Sequence, residues 1–148
     1  MRMIEVTTQV LVIAAISVPS AVWAAPACNN LKGDWVNQLK STLSITSIDA
    51  STGRIEGTYT SPSGTGGESH TLIGWVNSAP SSTGKDNVPV VSFSVQWGGY
   101  GSITSWTGYC SIRDGAPTIT TLWNLTQANS KFSWDHIVSN SDLFTPKP

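Results

Sequence analysis

Charge is scarce in this 148-residue chain. Asp, Glu, Lys and Arg make up 11% of it, the formal net charge is −1 and the isoelectric point is near 6.0. Without a basic excess there is no electrostatic footprint for nucleic acid, whose binding is dominated by phosphate contacts, and no polybasic stretch for a membrane surface. Histidine is rarer still. His70 and His136 lie far apart, and neither Cys28 nor Cys110 has a second ligand at zinc spacing, which argues against a metal site or a metal cofactor. Neither histidine sits in a nucleophile–base–orienter constellation, and no carboxylate pair carries the aromatic flanks of a sugar-cleaving tunnel. Enzyme chemistry is therefore not expected. No segment has a convincing amphipathic helical period, and only one long apolar run occurs.

That run lies at the N-terminus. Arg2 supplies a charge, Val10–Val18 is apolar, and small residues crowd Ala21–Ala27, the pattern of a secretory signal peptide. Residues 1–24 are read as this leader. Cleavage after Ala24 places Val22 and Ala24 at the small positions, and cleavage after Ala27 is the alternative. The run is too short to span a bilayer, which disfavours an N-terminal anchor. The expected product, residues 25–148, is one soluble exported domain, secreted or periplasmic in a bacterium. In an oxidising compartment the isolated pair Cys28 and Cys110 most simply forms one disulfide. Closing a loop of that length is worth roughly 4–5 kcal/mol in the chain-entropy account.

What the chain does have is tryptophan beside small polar residues. Of seven tryptophans, six follow the leader. Residues two apart share a face in a strand, so Trp35, Asn37, Leu39 and Ser41 point one way, as do Ser102, Thr104 and Trp106. A face that mixes indoles with amides and hydroxyls is unusual for a core, where each buried polar atom needs a partner. It suits a pocket whose ligand supplies those partners. Strand signals recur at residues 33–39, 42–48, 54–60, 71–77, 88–97, 102–112, 117–126 and 131–138. Turn chemistry separates them, including Asp49–Gly53 and the hairpin signal Asp114-Gly115. Ser61–Ser69 reads as a flexible loop, and Thr145-Pro-Lys-Pro as a disordered C-terminal tail. Eight sequential strands without crossover helices predict an all-β antiparallel up-and-down barrel. Closure removes the sheet edges and leaves room for one small ligand.

On these residues the sequence resembles the avidin–streptavidin family, across essentially all of 28–144. The motifs that carry the resemblance are Trp35-x-Asn37-x-Leu39-x-Ser41, then Gly57-Thr58-Tyr59, then Trp97 followed by Ser102-x-Thr104-x-Trp106-x-Gly108. Leu122-Trp123-x-Leu125 and the spacing of Trp134 from Asp142 complete it. The resemblance implies high-affinity, non-catalytic biotin binding by a homotetramer, with Cys28 and Cys110 at the family's intrachain disulfide positions. It implies that Asn37, Ser41 and Tyr59 donate to the ureido oxygen, while Asp142 and Ser61 accept from the ureido N–H groups. Thr104 would meet the thioether sulfur. Trp97, Trp106 and Trp123, with Leu39 and Leu125, would wall the bicyclic ring and aliphatic chain. Ser102 and the loop near Thr65 would hold the carboxylate, and Trp134 would cap a neighbouring subunit's pocket. Trp35 is expected to plug the barrel base, and Trp75 to serve packing or an interface. Asp135 stands where the family usually has lysine, and Ser139 and Ser141 stand among expected subunit contacts beside Leu122.

Two other functions fit parts of the pattern. A secreted carbohydrate-binding module also uses Trp, Asn and Asp, but on an exposed platform. A lipocalin-like carrier of apolar ligands shares the barrel, but not a pocket with one polar end.

Overall fold

The alternation of small polar and apolar side chains is realised as eight strands in the computed structural model, which describes residues 25–148. Residues 1–24, expected to form a leader, and the expected cleavage point after Ala24 lie outside the described residues. The strands are β1 (Gly33–Asn37), β2 (Thr42–Ile48), β3 (Arg54–Thr60), β4 (Ser69–Asn77), β5 (Val90–Gln96), β6 (Ser102–Arg113), β7 (Ala116–Gln127) and β8 (Ile137–Pro146). Each pairs antiparallel with the next, and β1 pairs with β8, so the sheet closes as the expected up-and-down barrel. Closure leaves no unpaired edge.

Local chemistry sets the turns. Asp114 (φ 51°) and Gly115 (φ 79°) form a two-residue loop between the paired residues Arg113 and Ala116, the geometry that an Asp-Gly hairpin favours. Asp49 Oδ1 accepts hydrogen bonds from the amides of Ser51 at 2.8 Å and Thr52 at 3.0 Å. The Ser51 hydroxyl, then those amides, hold the Asp49 carboxyl down at about 2. Inside the barrel, strands approach closely where a side chain is missing. A Cβ on Gly108 would run into the carbonyl oxygen of Thr120, and one on Gly57 into that of Ser44.

The interior divides into two halves. At the closed end Trp35, Leu43, Ile55, Leu72, Val95, Ile119 and Phe144 are fully buried. Trp35 donates its indole N–H to the Leu31 carbonyl at 2.8 Å, drawing the N-terminal turn over the barrel base. The disulfide Cys28–Cys110 fixes that turn to β6, with Cα atoms 5.3 Å apart. Trp35 is thus the structural plug expected of it. The other half is hollow.

Three expectations need correction. The last strand is Ile137–Pro146, not 131–138, because the alternation Phe132-x-Trp134 belongs to a loop. Those two rings stack on each other, 4.4 Å apart, and neither is buried. The supposed disordered tail is partly strand: Thr145 and Pro146 pair with Val36 and Trp35, and the Lys147 amide donates to the Asp34 carbonyl. The first strand stops at Asn37 rather than residue 39, since Lys40 takes φ 65° in a tight turn. Leu39 therefore does not share a strand face with Trp35.

Candidate ligand-binding site

The open half of the barrel holds a cavity of about 230 Å³. Thirteen of the fourteen ligand-binding positions expected from the sequence line it: Asn37, Leu39, Ser41, Tyr59, Ser61, Thr65, Trp97, Ser102, Thr104, Trp106, Trp123, Leu125 and Asp142. Trp134 is the exception, at 71% exposure on the β7–β8 loop. Leu39 reaches the cavity from the β1–β2 turn while remaining mostly exposed.

The deep end is polar, and its donors and acceptors have assigned directions. Asn37 Oδ1 accepts from the amides of Leu39 at 3.0 Å and Ser41 at 2.8 Å. The oxygen is committed to the turn, so the amide nitrogen is the group turned toward Tyr59, whose hydroxyl lies 3.5 Å from Nδ2. The turn thus fixes which end of the amide can serve a ligand. Burial pushes the Tyr59 phenol well above its ordinary value of 10.0; the Ser41 hydroxyl opposes the shift and the Asp142 charge adds to it. The phenol is neutral and keeps its proton. Ser41 is itself buried at 3% exposure.

Asp142 stands on β8 among the buried residues. Its Oδ2 accepts from Trp106 Nε1 at 2.9 Å, and its Oδ1 from Gln38 Nε2 at 2.9 Å. Each oxygen retains a lone pair, so the carboxylate can take further N–H donors. Gln38 had not been singled out from the sequence. It folds back from the β1–β2 turn, donates to the Ser141 carbonyl as well, and accepts from the Leu143 amide at 3.1 Å. This clamps the turn bearing Asn37 to the strand bearing Asp142.

The walls are aromatic. Trp106 stacks on Phe93 at 4.9 Å and leans against Tyr59 at 4.8 Å. Trp97 donates its indole N–H to Thr104 Oγ1 at 2.8 Å, both residues being buried. That bond occupies the hydroxyl as acceptor and leaves its hydrogen free for a weak acceptor such as a sulfur. Two buried polar atoms have no partner among the described residues, Trp123 Nε1 and His70 Nε2. At the mouth lie Ser61, Ser102 and Thr65, together with Ser63, Gly64 and Tyr100, which sequence reasoning missed. Tyr100 belongs to the 3-10 turn Gly98–Tyr100, between the strand signals at 88–97 and 102–112. No lysine or arginine among the described residues lines the cavity.

Trp97 and Trp106 face inward and are buried, whereas a sugar-reading platform needs exposed rings. Trp75, on the outer face of β4 at 55% exposure, stays apart from the cavity.

Comparison with known proteins agrees with this geometry. The family model described as "Avidin family" matches residues 25–147. Bradavidin is 33% identical, with a TM-score of 0.68 over 79% of this chain and 80% of that one. Xenavidin is 30% identical, with a TM-score of 0.66 over 80% of this chain and 97% of that one. Apo shwanavidin is 30% identical, with a TM-score of 0.61 over 82% and 99% of the two chains. No curated protein matches in sequence. Members of this family are non-catalytic binding proteins, and by the extent of these matches the chain belongs to the avidin family.

Proposed function

We propose that the protein sequesters biotin, tightly and without chemistry, in the open half of the barrel. The carrying observation is the opposition of two polar groups with fixed sense. Asn37 has only its N–H end free, beside the neutral phenol of Tyr59 and the hydroxyl of Ser41, while Asp142 offers only acceptors. A urea is the complement of such a pair, with a carbonyl oxygen at one end and two N–H groups at the other. Donors on the oxygen draw electrons from the nitrogens and strengthen the N–H bonds made to Asp142 and Ser61. An ionised acceptor roughly doubles the strength of such a bond. Thr104 meets the thioether sulfur. The indoles of Trp97, Trp106 and Trp123, with Leu39 and Leu125, remove the rings and aliphatic chain from water at little entropic cost. The hydroxyls of Ser102 and Thr65 take the carboxylate at the mouth.

In this reading Trp134 caps the pocket of a neighbouring subunit in a homotetramer. Its exposure in the isolated chain supports that role, as does an uncharged outer surface. Residues 88–112 and 115–130 contain no Asp, Glu, Lys or Arg. Ile103, Tyr109, Ile112, Leu122 and Ile137 are exposed along β6–β8, and apolar surface of this extent marks an association site. The leader carries the protein out of the cytoplasm.

The test is a tryptophan fluorescence titration with biotin, then with a sugar panel and a fatty acid. A saturable change with biotin alone is expected. Silence to biotin with a response to a sugar or to the fatty acid would refute the reading.

A further inference from the structure

The loop between β3 and β4, residues 61–68, forms part of the mouth through Ser61, Ser63, Gly64 and Thr65. Among the described residues, every hydrogen bond it makes is internal. The amides of Thr65 and Gly67 donate to the Ser61 carbonyl, that of Glu68 to the Thr65 carbonyl, and that of Gly64 to Ser61 Oγ, all at 3.2 Å. Gly66 and Gly67 both have positive φ, at 63° and 88°. The loop is therefore hydrogen-bonded only within itself, and Thr65 is its one buried residue.

His70 stands where the loop joins β4. Strand parity turns it inward with Leu72 and Gly74, opposite Tyr59 on β3. Its ring packs edge-on to Trp97, a wall of the cavity, at 5.0 Å. The side chain is 12% exposed, and Nε2 is buried with no hydrogen-bond partner. A buried polar atom without a partner is costly. The closest carboxylate oxygen is Glu68 Oε2 at 3.9 Å, on a side chain 67% exposed and free to swing.

We infer that His70 is a positioning residue of the pocket: protonated, it pairs with Glu68 and holds the β3–β4 loop against the mouth, so bound biotin leaves more slowly in mild acid. The inference rests on the biotin-binding reading. Protonation puts a hydrogen on Nε2 whichever tautomer the neutral ring holds and makes the ring a cation, and Glu68 is the acceptor within reach. The other elements packed on the imidazole offer no competing charge. β3 presents Tyr59, kept neutral by burial, and the rest of β4 and all of β5 are uncharged. Asp142 influences Tyr59 but hydrogen-bonds Trp106 and Gln38. Linkage then requires that protons which favour the closed loop also favour retention of the ligand.

The experiment loads the intact protein with labelled biotin and follows its displacement by excess unlabelled biotin between about pH 5.5 and 8, the range in which histidine changes charge. Release in acid is expected to be about two- to fivefold slower in the native sequence, the scale of a partly exposed ion pair. It should be independent of pH in Glu68→Gln and in His70→Gln. A flat profile in the native sequence, or a slope that survives Glu68→Gln, overturns the inference. A slope that survives only in His70→Gln points to His136 and overturns it equally. Failure to bind biotin at any pH would instead refute the functional reading. The pair is then judged in the unliganded protein by NMR: a common transition of the His70 ring and Glu68 carboxyl signals supports it, and independent transitions overturn it.

Discussion

Removing the Asp142 carboxylate separates a ligand-binding role from a structural one. In Asp142→Asn the shape is conserved, but both carboxylate oxygens already receive an N–H, from Trp106 Nε1 and from Gln38 Nε2, each at 2.9 Å. Either orientation of the new amide sets its NH2 group against one of those donors. The cheaper orientation keeps the oxygen on the buried Trp106 N–H and costs only the bond from Gln38, an exposed side chain that still donates to the Ser141 carbonyl, about 1 kcal/mol to the unliganded fold. The ligand loses a charge-assisted acceptor for its ureido N–H, which costs a further 2–4 kcal/mol or about 30- to 1,000-fold in affinity. Among variants of one site such losses fall mostly on the dissociation rate. Displacement of labelled biotin measures that rate, and thermal unfolding of the unliganded protein reads the first cost separately. Asp142→Ala removes the clash and retains the loss of the acceptor, so it should show the same order of faster release. A dissociation rate within about threefold of the native value in both variants would refute the role given to this carboxylate.

Trp134→Ala should accelerate biotin release and weaken subunit association together, read by light scattering alongside displacement; a change in neither would mean the loop caps nothing. Trp35→Phe removes the indole donor to the Leu31 carbonyl. It should cost about 1–3 kcal/mol in urea unfolding, as for other buried bonds that lose a partner, while biotin release is unchanged. Cys28→Ser with Cys110→Ser opens a loop with a sequence separation of 82. It should lower stability by up to about 4.5 kcal/mol in the chain-entropy account, measured against the oxidised protein by denaturant unfolding. Tyr59 has its phenol raised above the ordinary 10.0 by burial, so the folded state holds this proton more tightly than the unfolded chain. Its contribution to stability is fully present below pH 10 and is withdrawn as the pH rises beyond it. Tyr59→Phe should lessen that alkaline loss in unfolding melts, and an identical loss in both proteins would contradict the assignment.

Most of the barrel was legible because alternation and turn chemistry agree along β2, β3, β6 and β7. Asp114-Gly115 and Asp49–Gly53 behave as their backbone preferences require. The failures cluster at the pocket rim. On β8 the residues Ser139, Asn140 and Ser141 are exposed and the inward position is a carboxylate, Asp142. The strand therefore lacks the apolar stripe that identifies strands, while the neighbouring Phe132-x-Trp134 mimics one. Gln38 escaped notice because strand parity turns it away from Asn37, and only the tight turn at Lys40 brings it back onto Asp142. Tyr100 sits among three glycines and a serine that advertise a break, and its place at the mouth depends on the 3-10 turn. His70 lacks any motif; its burial beside Trp97 comes from barrel closure alone. Local rules yield where a cavity has replaced a core.

Calorimetric titration of the purified, folded protein with biotin tests the central claim most directly. The account predicts saturation at one biotin per chain with strongly favourable enthalpy, and the loss of most of that affinity when Asp142 is replaced. Absence of heat at concentrations where the protein remains folded, or binding indifferent to Asp142, would contradict it.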